Sequence, residues 1–411
     1  MNMTAPFPLW PLIVTTAMQT LATMAVFAIP ALAPAIGRDL AVNGVLSGYF
    51  VSLVYGTGIA SSLLAAGAIH RFGAVRVCQA VLATALAMLL ISASGSLAAF
   101  AIGAIVLGST YGATAPVSTH LLVPRTPPQI INLVLSIRQI GVPMGGVLAA
   151  LLMPPLALRV GWQTALLMLA LPITVLVLAL ELPRRRWDLP DDLPADVAAR
   201  ATGRAQGSVV TLENARAVLD LLRTSNELRR LSAASFVFSG VQLSFVAFLT
   251  VQLTSRAGFG LVAAGQALAL YQLAGMLCRP VWGWLADGKH GARRLIVLQG
   301  VAMGLLVGAA GHFGPHWPVP LIFVTCALAG ATANGFTGLG YAEFARIGGV
   351  RRTEATGLGS AAMFSGVLVL PSLGALVVSL TGSYVIAFTA LGVMAVAAAL
   401  MLEVGAPLQR K

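Results

Sequence analysis

Arg138 and Arg279 stand deep in hydrophobic stretches that otherwise carry almost no charge, and no aspartate or glutamate lies at comparable depth. A charged side chain at the middle of a membrane costs about 2.5–3.5 kcal/mol on insertion scales, so it persists where it faces a water-filled cavity or a partner. With no acid to pair with, the implied partner is an anion from outside. Planar guanidinium forks suit a carboxylate, a phosphate or a nitrate-like oxyanion. A structural reading stands beside this one: either arginine bonds helix carbonyls freed by Pro143 or Pro280, or snorkels toward the interface.

Polar side chains recur at helical spacing around these two. Thr16, Gln19, Thr20 and Thr23 fall in one stretch and Ser235, Ser239 and Gln242 in its counterpart. Tyr111, Thr114 and Ser118 repeat the i, i+3, i+7 pattern of Asn334, Thr337 and Tyr341. Tyr271 shares a helical face with Arg279, Gln272 lies beside it, and Gln139 follows Arg138. Serine and threonine are common packing residues in membrane helices, so each stripe alone says little. Together they give a candidate substrate-binding set: Arg138, Arg279, Gln19, Tyr111, Gln139, Gln242, Tyr271, Gln272 and Asn334.

The elements that must position this set are apolar helices. The chain is 58% hydrophobic and 9% charged over 411 residues, against roughly 25% charged in a soluble domain. A helix needs about 20 residues to cross the hydrocarbon core. Twelve such stretches are expected, near 9–36, 44–69, 75–95, 98–124, 128–153, 162–182, 231–253, 261–286, 292–312, 317–344, 355–380 and 384–403. The fold class is an all-α multi-pass membrane protein of two six-helix halves, 1–183 and 231–411. A charged linker, 184–230, joins them. It carries Arg184, Arg185, Arg186, Asp188, Asp191 and Asp192 and a polar run over 201–207. Leu212, Ala215, Leu219 and Leu222 then recur at helical spacing, as in an amphipathic helix on a membrane surface. Thr224 and Glu227 form a capping box for the seventh span.

Basic residues set the expected orientation. With both termini in the cytoplasm, only Arg38, Arg159 and Arg256 fall outside the cytoplasmic loops and tails, apart from the two intramembrane arginines. This is the positive-inside pattern. The net charge of +12 is therefore topological, and the dispersed arginines form no basic face for nucleic acid. The first span is too long for a signal h-region. Cys78, Cys278 and Cys326 lie at no metal-like spacing and read as apolar fillers, so neither disulfide nor metal site is expected. No Walker motif, nucleophile–base pair or cofactor motif points to an enzyme, and no cofactor is expected.

An internal repeat supports the two halves. Gly67-Ala-Ile-His-Arg-Phe-Gly73-Ala-Val-Arg76 is echoed by Gly283-Trp-Leu-Ala-Asp-Gly-Lys-His-Gly291-Ala-Arg-Arg294. Here the chain resembles the major facilitator superfamily, whose loops between spans two and three, and eight and nine, carry G-x-L-A-D-R-x-G-R-R. His70 replaces the usual aspartate of the first copy. Gly141-Val-Pro143-Met-Gly145-Gly146 is similar to the family's fifth-span G-P-x-x-G-G motif, split by Val142, and serves here as a packing hinge. Ala104 stands where proton-coupled exporters often carry a fourth-span arginine.

The resemblance implies a transporter whose halves rock about a midplane site, with spans five and eight adjacent, so that Arg138 and Arg279 meet. It implies gating by Asp287, which would meet a helix N-terminus in the other half, with Arg293, Arg294, Arg71 and Arg76 in the same loops. The expected activity is secondary transport of a small organic or inorganic anion across the cell (inner) membrane, by a functional monomer in the lipid bilayer. Export of drugs or amphiphiles, supported by the fifth-span motif, is the first alternative. A sensor that binds but does not move its ligand is the second. No titratable carboxylate lies in the path; His120, near the end of span four, is the one titratable candidate near a span interior.

Overall fold

In lipid a spanning segment must satisfy its own backbone, which favours helix. The computed structural model describes residues 7–40, 46–188 and 212–404, which contain helices and turns and no strand. Asp191, Asp192 and the polar run 201–207 lie outside the described residues.

The helices are α1 (Leu9–Asp39), α2 (Leu46–Phe72), α3 (Ala74–Ser92), α4 (Leu97–Tyr111), α5 (Thr114–Leu122), α6 (Ile131–Arg138), α7 (Gly141–Val160), α8 (Trp162–Met168), α9 (Ala170–Ala179) and α10 (Arg184–Asp188). They continue as α11 (Leu212–Thr224), α12 (Asn226–Ser255), α13 (Leu261–Asp287), α14 (Ala292–Ala310), α15 (Val319–Ala333), α16 (Phe336–Gly348), α17 (Arg352–Thr381) and α18 (Tyr384–Val404). Among the described residues, 10 helical stretches are long and apolar enough to cross a membrane. One of them, Val319–Thr381, carries the tenth and eleventh expected segments. The eighth coincides with α13, outside those ten.

Four expected spans are each divided into two helices, which hydropathy does not reveal. The break in span four follows from one hydroxyl. Ser61 Oγ donates to the Gly108 carbonyl at 2.8 Å and accepts from the Gly112 N–H at 3.0 Å, so it occupies both ends of what would be an i→i−4 bond. Only glycine fits there, because a Cβ on Gly112 would collide with the Gly58 carbonyl. Span ten breaks at the corresponding place, between α15 and α16. There Trp282 Nε1 donates to the Ala331 carbonyl at 2.8 Å.

The expected cap of the seventh span is corrected. Ser225, not Thr224, is the N-cap: its hydroxyl accepts from Leu228 N at 3.3 Å, and the extended backbone of Ser225 places the helix start at Asn226. Glu227 does not close a box; it faces Arg293 at 3.6 Å.

Two compact units form. The first holds the chain up to Arg125, Ile140–Asp220 and Gly348–Ala361; the second holds Thr126–Gln139, Leu221–Ile347 and Ala362 onward. The first part of span five thus packs with α13, and the start of α17 packs with helices of the first six spans. Within the first unit α7 lies tightly on α1. A Cβ on Gly141 would come within 2.8 Å of the Thr16 carbonyl, and one on Gly145 within 2.8 Å of Met24 N. Gly146 faces Phe27 with room to spare, at 3.8 Å.

The start of the linker, α10, folds back on the start of span three. Asp188 Oδ1 accepts from Val75 N at 2.8 Å, as a cap for α3. Gly73 makes the approach possible: its φ is +90°, and a Cβ there would lie 2.6 Å from the Asp188 carboxyl carbon. Nearby, Glu181 meets Arg76 at 3.1 Å and Arg184 at 2.7 Å.

Candidate functional site

Span five supplies the local chemistry that explains Arg279. Pro143 has no N–H, so the Gln139 carbonyl four residues earlier lacks the donor an α-helix would give it. α6 ends at Arg138 and α7 begins at Gly141. Arg279 Nη1 donates to that Gln139 carbonyl, and Nε donates to the Asn334 carbonyl at 3.0 Å. Arg279 is 2% exposed, and the acceptors of these bonds are neutral.

Arg138 is equally buried, and its Nη1 donates to the Gln139 side-chain oxygen. Gln139 therefore ties both guanidiniums together, one through its backbone and one through its amide. Gln242 Nε2 donates to Asn334 Oδ1 at 2.5 Å. Asn334 in turn donates to the Gly330 carbonyl at 3.2 Å. Tyr271 is fully buried and stacks on Phe245 with ring centroids 4.8 Å apart. Its hydroxyl, near Asn334, makes no hydrogen bond of good geometry. Gln272 is half-buried on the same helix.

The second unit therefore gathers Arg138, Gln139, Gln242, Tyr271, Arg279 and Asn334. Gln19 and Tyr111 form a separate cluster in the first unit. There Gln19 Nε2 donates to Thr23 Oγ1 at 2.8 Å and to Tyr111 OH at 3.4 Å, and Thr23 and Tyr111 share a bond at 3.1 Å. Thr23 completes this cluster. Gln19 and Tyr111 are 92 residues apart, as are Gln242 and Asn334, so the two polar clusters are equivalent positions of the repeat.

Asp287 ends α13 against the first turn of α6. Oδ1 accepts from Asn132 N at 3.0 Å and from Asn132 Nδ2 at 2.8 Å, while Oδ2 accepts from Leu133 N at 2.9 Å. A carboxylate on two unpaired N–H groups at the positive end of a helix is a favourable electrostatic cap. Gly283 permits the approach, since a Cβ there would meet Asn132 O and Leu133 Cα at 2.7 Å. Sequence reasoning missed Asn132; a polar residue opening span five, opposite a loop acid, is the signal that finds it. The four loop arginines lie elsewhere. Arg293 donates to the Leu402 carbonyl at 2.6 Å and faces Glu227. Arg294 is exposed, Arg71 lies over Phe72, and Arg76 is held by Glu181 and Gln79.

Membrane-length helices in repeated arrangement, with polar groups buried at span breaks, define a multi-pass membrane protein. The chain belongs to the Major Facilitator Superfamily, whose pattern matches residues 15–337 and again 263–410. It is similar to the probable nitrate/nitrite transporter NarK2 of Mycobacterium tuberculosis, in two strains, with 33% identity over 153 residues. That match spans 34% of this chain and 38% of the relative's length.

Solved structures show the same fold. The proton:xylose symporter XylE superposes with a TM-score of 0.74 at 14% identity, over 98% of this chain and 97% of that one. The human organic anion transporter MFSD10 gives 0.70 at 16% identity, over 96% and 99%. The outward conformation of FucP gives 0.69 at 13% identity, over 97% and 99%.

Proposed function

We propose that this transporter moves a small organic or inorganic anion across the cell (inner) membrane by alternating access, working as a monomer with both termini in the cytoplasm. The observation that carries this reading is the pair of buried arginines joined through Gln139, where the acceptors around Arg279 are neutral carbonyls. Carbonyl dipoles solvate a guanidinium but do not cancel its charge, so the cluster keeps an affinity for a negative solute. Arg138, the amides of Gln139, Gln242, Gln272 and Asn334 and the hydroxyl of Tyr271, all in the second unit, would contact the anion. One name supports the same class: the relative matched over 153 residues is a probable nitrate/nitrite transporter. Asp287 acts as a gate in this scheme, holding α6 on α13 in one state and releasing it in another, with Gly141, Pro143 and Gly145 as the packing hinge.

One observation favours a structural role for Arg279 alone. Two of its donors brace spans five, eight and ten by their backbone, so its first duty is to fix the break in span five. Arg138 then carries the recognition. Export of amphiphilic compounds is the rival function, resting on the fifth-span motif.

The test is thermal stabilisation of the purified protein by nitrate, nitrite, small carboxylates, neutral solutes and lipophilic cations, for the wild type, Arg138→Gln and Arg279→Gln. Selective stabilisation by anions, lost in Arg138→Gln, is expected. Equal stabilisation of all three proteins by cations would transfer the case to the exporter. Counterflow in liposomes then separates transport from sensing.

A further inference from the structure

The two halves hold their span ends with different acids and bases. In the second half Asp287 caps α6, and Glu343, 4% exposed near the end of span ten, takes two bonds from Arg346 at 2.7 and 2.8 Å. In the first half His70 stands at the motif position of Asp287. His120 stands 223 residues before Glu343, the offset that also separates Gln19 from Gln242. Both carboxylates of one half are thus histidines in the other.

The two histidines meet. Their rings lie edge to face with centroids 6.1 Å apart, and His120 Nδ1 shares a hydrogen bond of 3.1 Å with Thr353 Oγ1 in the first turn of α17. Gly357, one turn later, packs so closely on α2 that a Cβ would collide with the Ser62 carbonyl. This mirrors Gly283 against α6. The charges around the pair come from every neighbouring element. Arg125 follows α5 and donates to the Leu121 and Trp187 carbonyls at 3.0 and 3.2 Å. Arg352 opens α17 and acts on His120 together with Arg125. Glu354 of α17 faces Arg351 at 3.9 Å, Arg71 sits beside Phe72 on α2, and Arg76 of α3 is bound to Glu181. A proton on His120 therefore adds a positive charge where Arg125 and Arg352 already act, at the positive end of a helix.

We propose that His70 and His120 form a proton-binding latch: as neutral rings they hold the first turn of α17 on α2 and α5, and a proton taken up by the pair releases it. The sign follows from linkage. A positive charge added beside Arg125 and Arg352 works against the held arrangement, so its advantage is lost as pH falls through the ordinary imidazole range. Protons would then open one span-end contact and leave the Asp287 contact shut. The latch requires the transporter fold but not the anion reading.

Hydrogen exchange by mass spectrometry on the intact protein in lipid nanodiscs tests this, at about pH 7.5 and about pH 5.5, with labelling times scaled for intrinsic chemistry. Residues 352–361 should lose protection by up to about tenfold per pH unit below about 6.5, while residues 131–138 serve as the internal control and stay unchanged. A His70→Gln/His120→Gln variant should show equal protection of 352–361 at both pH values. His70→Asp, which installs the acid of the other half, should keep it protected at both. The latch is wrong if the two wild-type segments respond alike, or if either variant loosens with acid as the wild type does. Should the double variant fail to fold, the wild-type comparison and His70→Asp decide. Exchange reads opening and not flux, so the outcome stands apart from the identity of the solute.

Discussion

Arg279 donates to the backbone carbonyl of Gln139, the carbonyl that Pro143 leaves without a helical donor. One bond thus links a proline in the fifth span to a charge in the eighth. If this is why the arginine is held there, Pro143→Ala supplies the missing N–H and relieves the dependence. Arg279→Gln alone should destabilise by about 3 kcal/mol, because it strands buried carbonyls. The double variant should recover about 1 kcal/mol of that loss. Thermal denaturation of the four proteins gives the coupling; strict additivity would remove the link.

Asp287→Asn keeps an acceptor for the first turn of α6 but loses the charge that meets the helix end. Anion affinity should be unchanged, since Asp287 touches none of the binding cluster. Counterflow should slow about tenfold, matching a loss of about 1.4 kcal/mol from one conformation. Transport at the wild-type rate would show that the carboxylate is only a cap.

Gly145→Ala and Gly146→Ala differ by one position and should differ in outcome. The first drives a methyl into the α1 backbone at Met24 and should cost about 1–3 kcal/mol. The second meets Phe27 at ordinary distance and should be neutral within about 0.5 kcal/mol. Melting temperatures in one detergent suffice, and equal losses would mean that α7 does not pack on α1 through Gly145.

Asp188 yields a pH prediction. Burial is the largest influence on its carboxyl and pushes it above its ordinary value of 3.8, against the pull of the Val75 N–H, Arg184 and Arg76. A carboxyl raised in the folded state favours folding most when protonated, and that contribution falls as pH rises through the raised value. Asp188→Asn retains the acceptor for Val75 without the charge. It should match or exceed wild-type stability at neutral pH, whereas Asp188→Ala should lose stability at every pH. A drop for Asp188→Asn at neutral pH, measured by thermal melts, would reverse the assignment.

The span pattern was legible because hydropathy and basic loops act over twenty residues at a time. Some span boundaries came within a few residues, as at α13 and α18, whereas α7 runs on to Val160, seven residues past the expected end of span five. The breaks were not, because Gly112 reads like any membrane glycine until Ser61, from another span, is seen to occupy its hydrogen bond. Arg279 shows the same division. Its depth and missing acid are visible in the sequence, and so is the carbonyl freed by Pro143, but their pairing depends on how α6 and α13 pack. The spacing favours Thr224 as a cap because Glu227 stands three residues after it, whereas the backbone conformation that makes Ser225 the cap is not visible in the sequence.

The paired breaks in spans four and ten bear on the repeat. One is completed by a serine hydroxyl and the other by a tryptophan indole, at equivalent carbonyls. A repeat whose two copies answer the same freed carbonyl with unlike groups shares the bend and not the side chain that completes it.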